Sequence, residues 1–421
     1  MNGSVRARRA VEALRAGVPN GDAVNALGFA DDRLLRVFEQ RLGELSGSVA
    51  EGRQPRGVLL AAEFGGGKSH ALEFLRQKAL ERRFAVSRVV ISKETQLFDP
   101  GKVFRAAVEN LRVPDHTGDV LADIAVTRLK PGPRFDRLAV WLQQGPLNSR
   151  FAATLWLFEE ARTNPELIER LVGFWSGNPL SVSELKKDLR ACGAAGVYLL
   201  EKISVKALAR ERFVFLAWLL YAAGYEGWVI LLDELELIGR YSILQRGRSY
   251  AELARLLGLD SGGETEDAAD IPGLLTVGAI SPDFDSAVLT EKDDFNQIGF
   301  KFRARGDYES DMTAALADRA MMEIRRNQIV LPDPDAQVLR QIFERLAAVY
   351  EEAYGWRPAS APSLDVLTGR YMREYIRGWI TTWDLARMGR EARIRVERIE
   401  LDYEEDRLLE KSSQNGEGGG E

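Results

Sequence analysis

The chain has 421 residues, 45% hydrophobic and 29% charged, an ordinary globular make-up long enough for two or three domains. A net charge of −6 speaks against a uniformly basic nucleic-acid binder, though it leaves room for a local basic face. One cysteine (Cys192) excludes an intrachain disulfide, and with two histidines (His70, His116) it leaves no zinc site, so a reducing cytoplasm is the expected compartment.

In chain order, the first ten residues carry Arg6, Arg8 and Arg9 with no apolar core behind them, so no signal peptide is expected. No apolar run approaches the length of a membrane span, so no membrane partner is expected either. Residues 5–16 read as a helix, broken by Gly17-Val18-Pro19-Asn20. A second helix begins near Asp22, and a third runs from Asp31 to Leu45 with Leu34, Leu35, Phe38 and Leu42 at helical spacing. Ser46 to Gln54 reads as a small polar linker. Residues 1–50 thus form a helical lead-in, which could hold a nucleotide base or serve only as packing.

Residues 57–69 are the centre of the chain. Val58 to Ala61 read as a short buried strand, and after Ser69 a helix begins with Leu72, Leu75 and Leu80 on one face. Between them, Ala62-x-x-x-x-Gly67-Lys68-Ser69 is the phosphate-binding loop pattern with Ala in place of the first Gly. A glycine run lets consecutive backbone N–H groups wrap an anion, and the following helix N-terminus adds its partial positive charge. The run from Glu63 and Phe64 through Gly65, Gly66, Gly67, Lys68, Ser69 and His70 is the expected nucleotide cradle. Lys68 would reach the β- and γ-phosphates, and the Ser69 hydroxyl would ligate Mg²⁺.

A second strand follows at Phe84–Ile91, and Asp99-Pro100 opens a helix. Residues 120–225 read as almost wholly helical, with aromatic stripes such as Trp141, Trp156, Phe174 and Trp175 as core. Far more chain separates this loop from the next strand than one or two βα units need, so residues 113–225 read as a helical insertion. Trp228-Val229-Ile230-Leu231-Leu232-Asp233-Glu234 is an apolar strand ending in two carboxylates. Asp233 could hold Mg²⁺, and Glu234 is placed to polarise a water against the γ-phosphate.

Beyond Glu234 a helical stretch runs to about Leu259, on which Arg240, Arg246 and Arg248 could face phosphate or form a solvated face. Ser261 to Asp270 reads as a Gly-rich acidic loop, and Leu274–Ile280 as a strand that puts the Ser281 hydroxyl near the γ-phosphate. Residues 306–326 form a helix ending in Arg325-Arg326, Ile329–Leu331 a short strand, and Pro332–Asp335 the start of a helix to about Tyr354. Leu364–Met388 is helical, with Tyr371, Tyr375, Trp379 and Trp383 on one buried face. Ile394–Leu401 suggests a closing strand, and residues 404–421 a polar tail, disordered at its end. The expected fold is α/β. A parallel P-loop sheet with helices on both faces spans residues 51–330, and a mainly helical, winged-helix-like lid spans residues 331–403.

Four stretches carry a resemblance. They are Phe64–His70, Val89-Val90-Ile91-Ser92-Lys93-Glu94-Thr95, Leu231–Arg240 and Ala279-Ile280-Ser281-Pro282-Asp283-Phe284. Together they resemble the BrxD-like family of bacterial P-loop ATP-binding proteins that accompany BREX-type phage-defence operons. The likeness extends over roughly residues 5–400, and the broader relatives are AAA+ ATPases of the origin-recognition and STAND kind. The resemblance implies an ATPase using ATP and Mg²⁺, other defence-system proteins as partners, and action on or near DNA. It also implies a sensor at Ser281, a lid sensor arginine at Arg373 or Arg377, and an arginine finger at Arg325 or Arg326 acting across a homo-oligomer. A nucleotide-dependent switch with little turnover and a small-molecule kinase are the competing readings.

Overall fold

The computed structural model describes residues 2–114, 116, 120–259, 270–358, 371–390 and 403–406. Four helices precede the sheet: α1 (Asn2–Ala16), α2 (Gly21–Leu27), α3 (Asp32–Leu45) and α4 (Ser48–Glu51). Asn20 and Asp31 start α2 and α3 by accepting from the N–H groups of Ala23 and Leu34, caps worth about 1 kcal/mol each. Then come β1 (Val58–Ala61), α5 (Lys68–Glu81), β2 (Ala85–Val90), α6 (Pro100–Glu109) and the two-residue β3 (Leu111–Arg112), which sequence periodicity does not reveal.

The stretch read as an insertion carries six helices among its described residues. It comprises α7 (Val120–Thr127), α8 (Pro133–Gln143), α9 (Ser149–Glu160), α10 (Pro165–Trp175), α11 (Val182–Ala191) and α12 (Val205–Ala222), and its last helix leads into β4 (Trp228–Asp233). The helical stretch after Glu234 is divided. A 3₁₀ turn spans Leu235–Arg240, the chain extends at Tyr241, and Ser242 restarts it as α13 (Ile243–Leu256) through a capping box with Gln245. After β5 (Leu274–Ile280) a π-turn at Asp285–Thr290 leads to α14 (Asp294–Arg303) and α15 (Tyr308–Arg326). The described chain continues through β6 (Ile329–Val330), α16 (Ala336–Tyr354) and α17 (Met372–Arg387). The expected strand at 394–401, the loop at 261–269 and the start of the last helix at 364–370 lie outside the described residues.

The six strands run in the order β3-β2-β4-β5-β1-β6, with β3 antiparallel and every other pairing parallel. β1, β4 and β5 are buried along their whole length, as a parallel sheet covered on both faces requires. Leu34 and Phe38 of α3 and Leu72 and Leu75 of α5 cover one face, against Leu60, Val229 and Val277. Phe213, Leu216 and Leu220 of α12 belong to the core on the other face, with Leu59, Ile230 and Leu232. The insertion is therefore not an appendage, because its last helix supplies the cover for that face.

A third core joins the two ends of the described chain. Val11, Leu14 and Leu27 pack with Leu346, Tyr350, Ile376, Trp379 and Trp383, so the helical lead-in and the C-terminal helices form one unit. Residues 404–406, which polarity alone assigns to the tail, are held in place. The Asp406 N–H donates to the Arg240 carbonyl at 3.1 Å, and its carboxylate meets Lys93 Nζ at 2.6 Å. Arg246 faces neither phosphate nor solvent. It is buried and donates to both carboxylate oxygens of Asp294 at 2.7–3.1 Å, while Tyr250 donates to the same group.

Candidate nucleotide site

The carboxyl ends of β1, β4 and β5 lie at one edge of the sheet, where ligands of open α/β sheets bind. The loop leaving β1 depends on its glycines. Gly65 and Gly67 have φ of 86° and 106°, which a side chain would strain. At Gly66 a Cβ would come within 3.0 Å of the Glu63 carbonyl oxygen, which accepts the Gly66 N–H at 2.8 Å. No side chain caps the first turn of α5, so its N–H groups are available to an anion.

Lys68 is folded back over this loop. Its Nζ donates to the Ala62 carbonyl at 2.9 Å and lies 3.0 Å from Glu236 Oε1. The second contact is one of charge rather than an aligned hydrogen bond: both Glu236 oxygens are buried and neither has a hydrogen-bond partner among the described residues. Sequence reasoning missed Glu236, although its signal was visible as a third acid two residues beyond Glu234.

Ser69 Oγ donates to Asp233 Oδ2 at 3.3 Å, so the two residues read as Mg²⁺ ligands meet. The same Oδ2 accepts from Arg88 Nη2 at 2.6 Å, and Oδ1 accepts the Glu234 N–H at 3.1 Å. Arg88 was also missed. Val90 stands beside Asp233 in the β2–β4 register, and Arg88, two residues earlier, shares its face of the sheet. Its signal was an arginine inside the apolar run of a parallel strand.

Glu234 lines the cleft with φ of 61°, a left-handed conformation uncommon for a residue with a side chain. Burial pushes its pKa above the ordinary 4.5. The Glu236 and Asp233 charges push the same way, and Lys68 and Arg373 pull it back. Arg373 belongs to the cleft: its guanidinium lies 4.7 Å from the centre of the Phe64 ring and its N–H donates to the Gly65 carbonyl at 3.1 Å. Burial lowers its pKa and the Glu234 charge raises it. Arg377, one turn on, is exposed and does not line the cleft.

The remaining candidates sit elsewhere. Ser281 is buried at the end of β5, but its hydroxyl bonds Asp283, whose Oδ1 also accepts from Tyr403 at 3.0 Å. Arg325 is engaged by Asp285 at 2.8–2.9 Å and Thr290 at 3.0 Å, and it covers the Phe295 ring. Arg326 is exposed on a separate groove beside Gln54 and Arg56, on the segment leading into β1 and thus at the other end of that strand from the loop.

The cleft itself has a volume of about 210 Å³. Glu63 to His70, Glu234 and Arg373 form one part of its wall. Leu14, Leu27, Phe29, Leu331, Ile342 and Ile376 form an apolar part. His70 Nε2–H donates to the Gly28 carbonyl at 2.7 Å, tying the loop helix to the lead-in, and burial lowers its pKa. Among the described residues no group of three or more His, Cys, Asp or Glu could hold a metal. Ser69 and Asp233 are nevertheless hard oxygen donors side by side, which suits an ion that takes its other ligands from phosphate and water.

Residues 4–125 match the family model described as BREX system ATP-binding protein BrxC/D. The matched span takes in the lead-in, the loop and Arg88, and stops short of Asp233. It supports a BREX-type ATP-binding protein with an ATP-binding role in a defence system. No curated protein and no solved structure matches the chain. No helix among the described residues is long and apolar enough to cross a membrane.

Proposed function

We propose that the chain is an AAA+-like P-loop ATPase of a BREX-type defence complex, coupling ATP binding and hydrolysis to assembly or to action on DNA in the cytoplasm. The observation that carries this reading is the convergence of Lys68, Ser69, Asp233, Glu234 and Arg373 on one cleft that is polar at the loop and apolar towards α1, α2 and α16. The loop N–H groups and Lys68 would hold the phosphates, and the apolar wall would receive the base. Ser69 and Asp233 would hold Mg²⁺, which when bound neutralises phosphate charge. Glu234, its carboxyl raised by burial, would orient and deprotonate the attacking water. Arg373 would bring positive charge from α17 onto the same cleft. An arginine finger from a neighbouring copy falls to Arg326 before Arg325, whose guanidinium already serves Asp285. A kinase would need an acceptor pocket opening on the cleft, and the other groove lies by the segment leading into β1. The switch reading has one observation in its favour, the pairing of Lys68 with Glu236.

The test is ATP turnover against protein concentration, with and without DNA, beside Glu234→Gln. The variant is expected to keep ATP affinity and to lose about 10²-fold or more in turnover. Because the folded pKa of Glu234 is raised and the carboxylate is the active form, wild-type turnover should fall with acidity at a pH above the ordinary glutamate value of 4.5. Unchanged turnover in the variant removes Glu234 from the reaction and leaves the switch.

A further inference from the structure

The helical insertion contains arginines that no carboxylate answers. Arg212, in the middle of α12, is only 6% exposed. Its guanidinium lies 5.0 Å from the centre of the Phe174 ring and its Nη2 donates to the Asn178 carbonyl at 2.8 Å, leaving Nε buried without a partner. The same turn between α10 and α11 receives a second arginine: the Cγ and Cδ of Arg105, from α6, pack against Gly177, where an added Cβ would come within 2.8 Å of Cγ. Arg150, in the first turn of α9, is half-buried, and its Nε is also buried without a partner. The like charges of Arg105 and Arg150 both bear on Arg212. Burial first, and then Arg105 and Arg150, bring Arg212 down to about 10.

The surrounding acids do not relieve this. Glu211, next to Arg212 in sequence, accepts the Asn148 N–H at 2.8 Å and, among the described residues, forms no salt bridge with any of the three arginines. Among the described residues none of the three arginines forms a salt bridge. Other buried or half-buried arginines of the sheet and its helices do: Arg246 with Asp294, Arg88 with Asp233, and Arg210 with Glu252. A buried guanidinium with an unmet N–H, no carboxylate partner and like charges nearby raises the free energy of the fold, and an anion bound beside it would lower it.

We propose that Arg105, Arg150 and Arg212 form a binding site for a phosphate group where α6 meets the helical insertion, separate from the ATP cleft. Phosphate fits better than a carboxylate, because several guanidinium forks can share its oxygens and its charge answers more than one of them. Arg212 would be the fixed floor, packed on Phe174, and the more exposed Arg105 and Arg150 the mouth. The phosphate could belong to a nucleic-acid strand or be free in solution. In the first case the site deepens the DNA-facing part of the function proposed above and rests on it, whereas in the second it stands alone.

The experiment compares the full chain with the double variant Arg105→Gln/Arg150→Gln, which spares the buried Arg212. Melting temperature is measured in inorganic phosphate against chloride at equal ionic strength. Fluorescence anisotropy follows labelled single- and double-stranded oligonucleotides over a series of salt concentrations, and ATP affinity is measured alongside. The site predicts that phosphate stabilises the wild type more than the variant. If the source is nucleic acid, the variant should bind the oligonucleotide at least tenfold more weakly, with a log–log salt slope smaller by about two. A phosphate response without oligonucleotide binding assigns the site to a free phosphate. Equal responses of wild type and variant to both probes overturn the proposal. ATP affinity should be the same in both proteins. Its absence from the wild type would count against the ATPase reading and leave the phosphate result standing.

Discussion

The cleft and the insertion hold their cations in opposite ways. In the cleft, Lys68 lies against Glu236, Arg88 bonds Asp233, and the charge of Glu234 acts on Arg373. Where α6 meets the insertion, Arg212 has a ring face and a carbonyl but no carboxylate, and Arg105 and Arg150 add like charge. A cation already paired must exchange a carboxylate for the incoming phosphate, so its net contribution to binding is a difference. A cation held among like charges lowers the energy of the protein when an anion arrives. The first arrangement suits a ligand that must come and go, and the second suits an anchor.

Stability should expose this contrast most strongly. Arg246→Met removes the cation from a pair in which Arg246 is 3% and Asp294 0% exposed, and leaves a buried carboxylate. Urea unfolding should show a loss of about 3–5 kcal/mol, the range for breaking one partner out of a buried pair. Arg212→Met leaves no carboxylate behind and keeps an apolar body against Phe174, so it should lose far less or gain stability. Equal losses in the two variants would mean that Arg212 has a counter-charge after all.

A smaller effect is expected in the cleft. Lys68→Ala removes the one lysine of the loop while the fold survives, and calorimetry should find ATP affinity reduced by well over tenfold, about 1.5–3 kcal/mol for a charge-assisted contact. Wild-type affinity would remove the loop from phosphate binding and with it the paired half of the comparison.

What the sequence made legible was local. The loop after β1 was readable because a buried strand, a glycine run and a helix follow one another without interruption, and the placing of Asp233-Glu234 because an apolar strand stops at two acids. The long helical insertion was readable from its aromatic stripes. The partners in the cleft were not. Arg88 meets Asp233 only because β2 pairs with β4 across the whole insertion, and Glu236 meets Lys68 only because a 3₁₀ turn, rather than a continuous helix, follows β4. Arg246 was open to a surface reading because its partner, Asp294, lies on α14, in a stretch with no readable period. The union of the lead-in with the C-terminal helices depends on contacts between the two ends of the chain, which no local pattern carries. Arg105, Arg150 and Arg212 are scattered over three helices and form no motif at all.

The smallest expected effect is the most direct probe of how the cleft's cations are held. Glu236→Gln keeps the size of a buried side chain 3.0 Å from Lys68 Nζ and removes its charge. If Glu236 competes with phosphate for Lys68, the variant should bind ATP several-fold more tightly, a gain of about 1 kcal/mol. The gain should vanish in a Lys68→Ala background, where there is no lysine left to release, and that double-mutant cycle separates pairing from a general change in the cleft. A second readout has its sign fixed by the neighbouring acid. The Glu236 charge helps to raise the pKa of Glu234, so its removal should move the acid limb of turnover to lower pH. Weaker ATP binding in the single variant would reverse the interpretation. Glu236 would then hold Lys68 in the posture that receives phosphate, and the cleft's carboxylates would be positioning groups rather than stand-ins for the ligand.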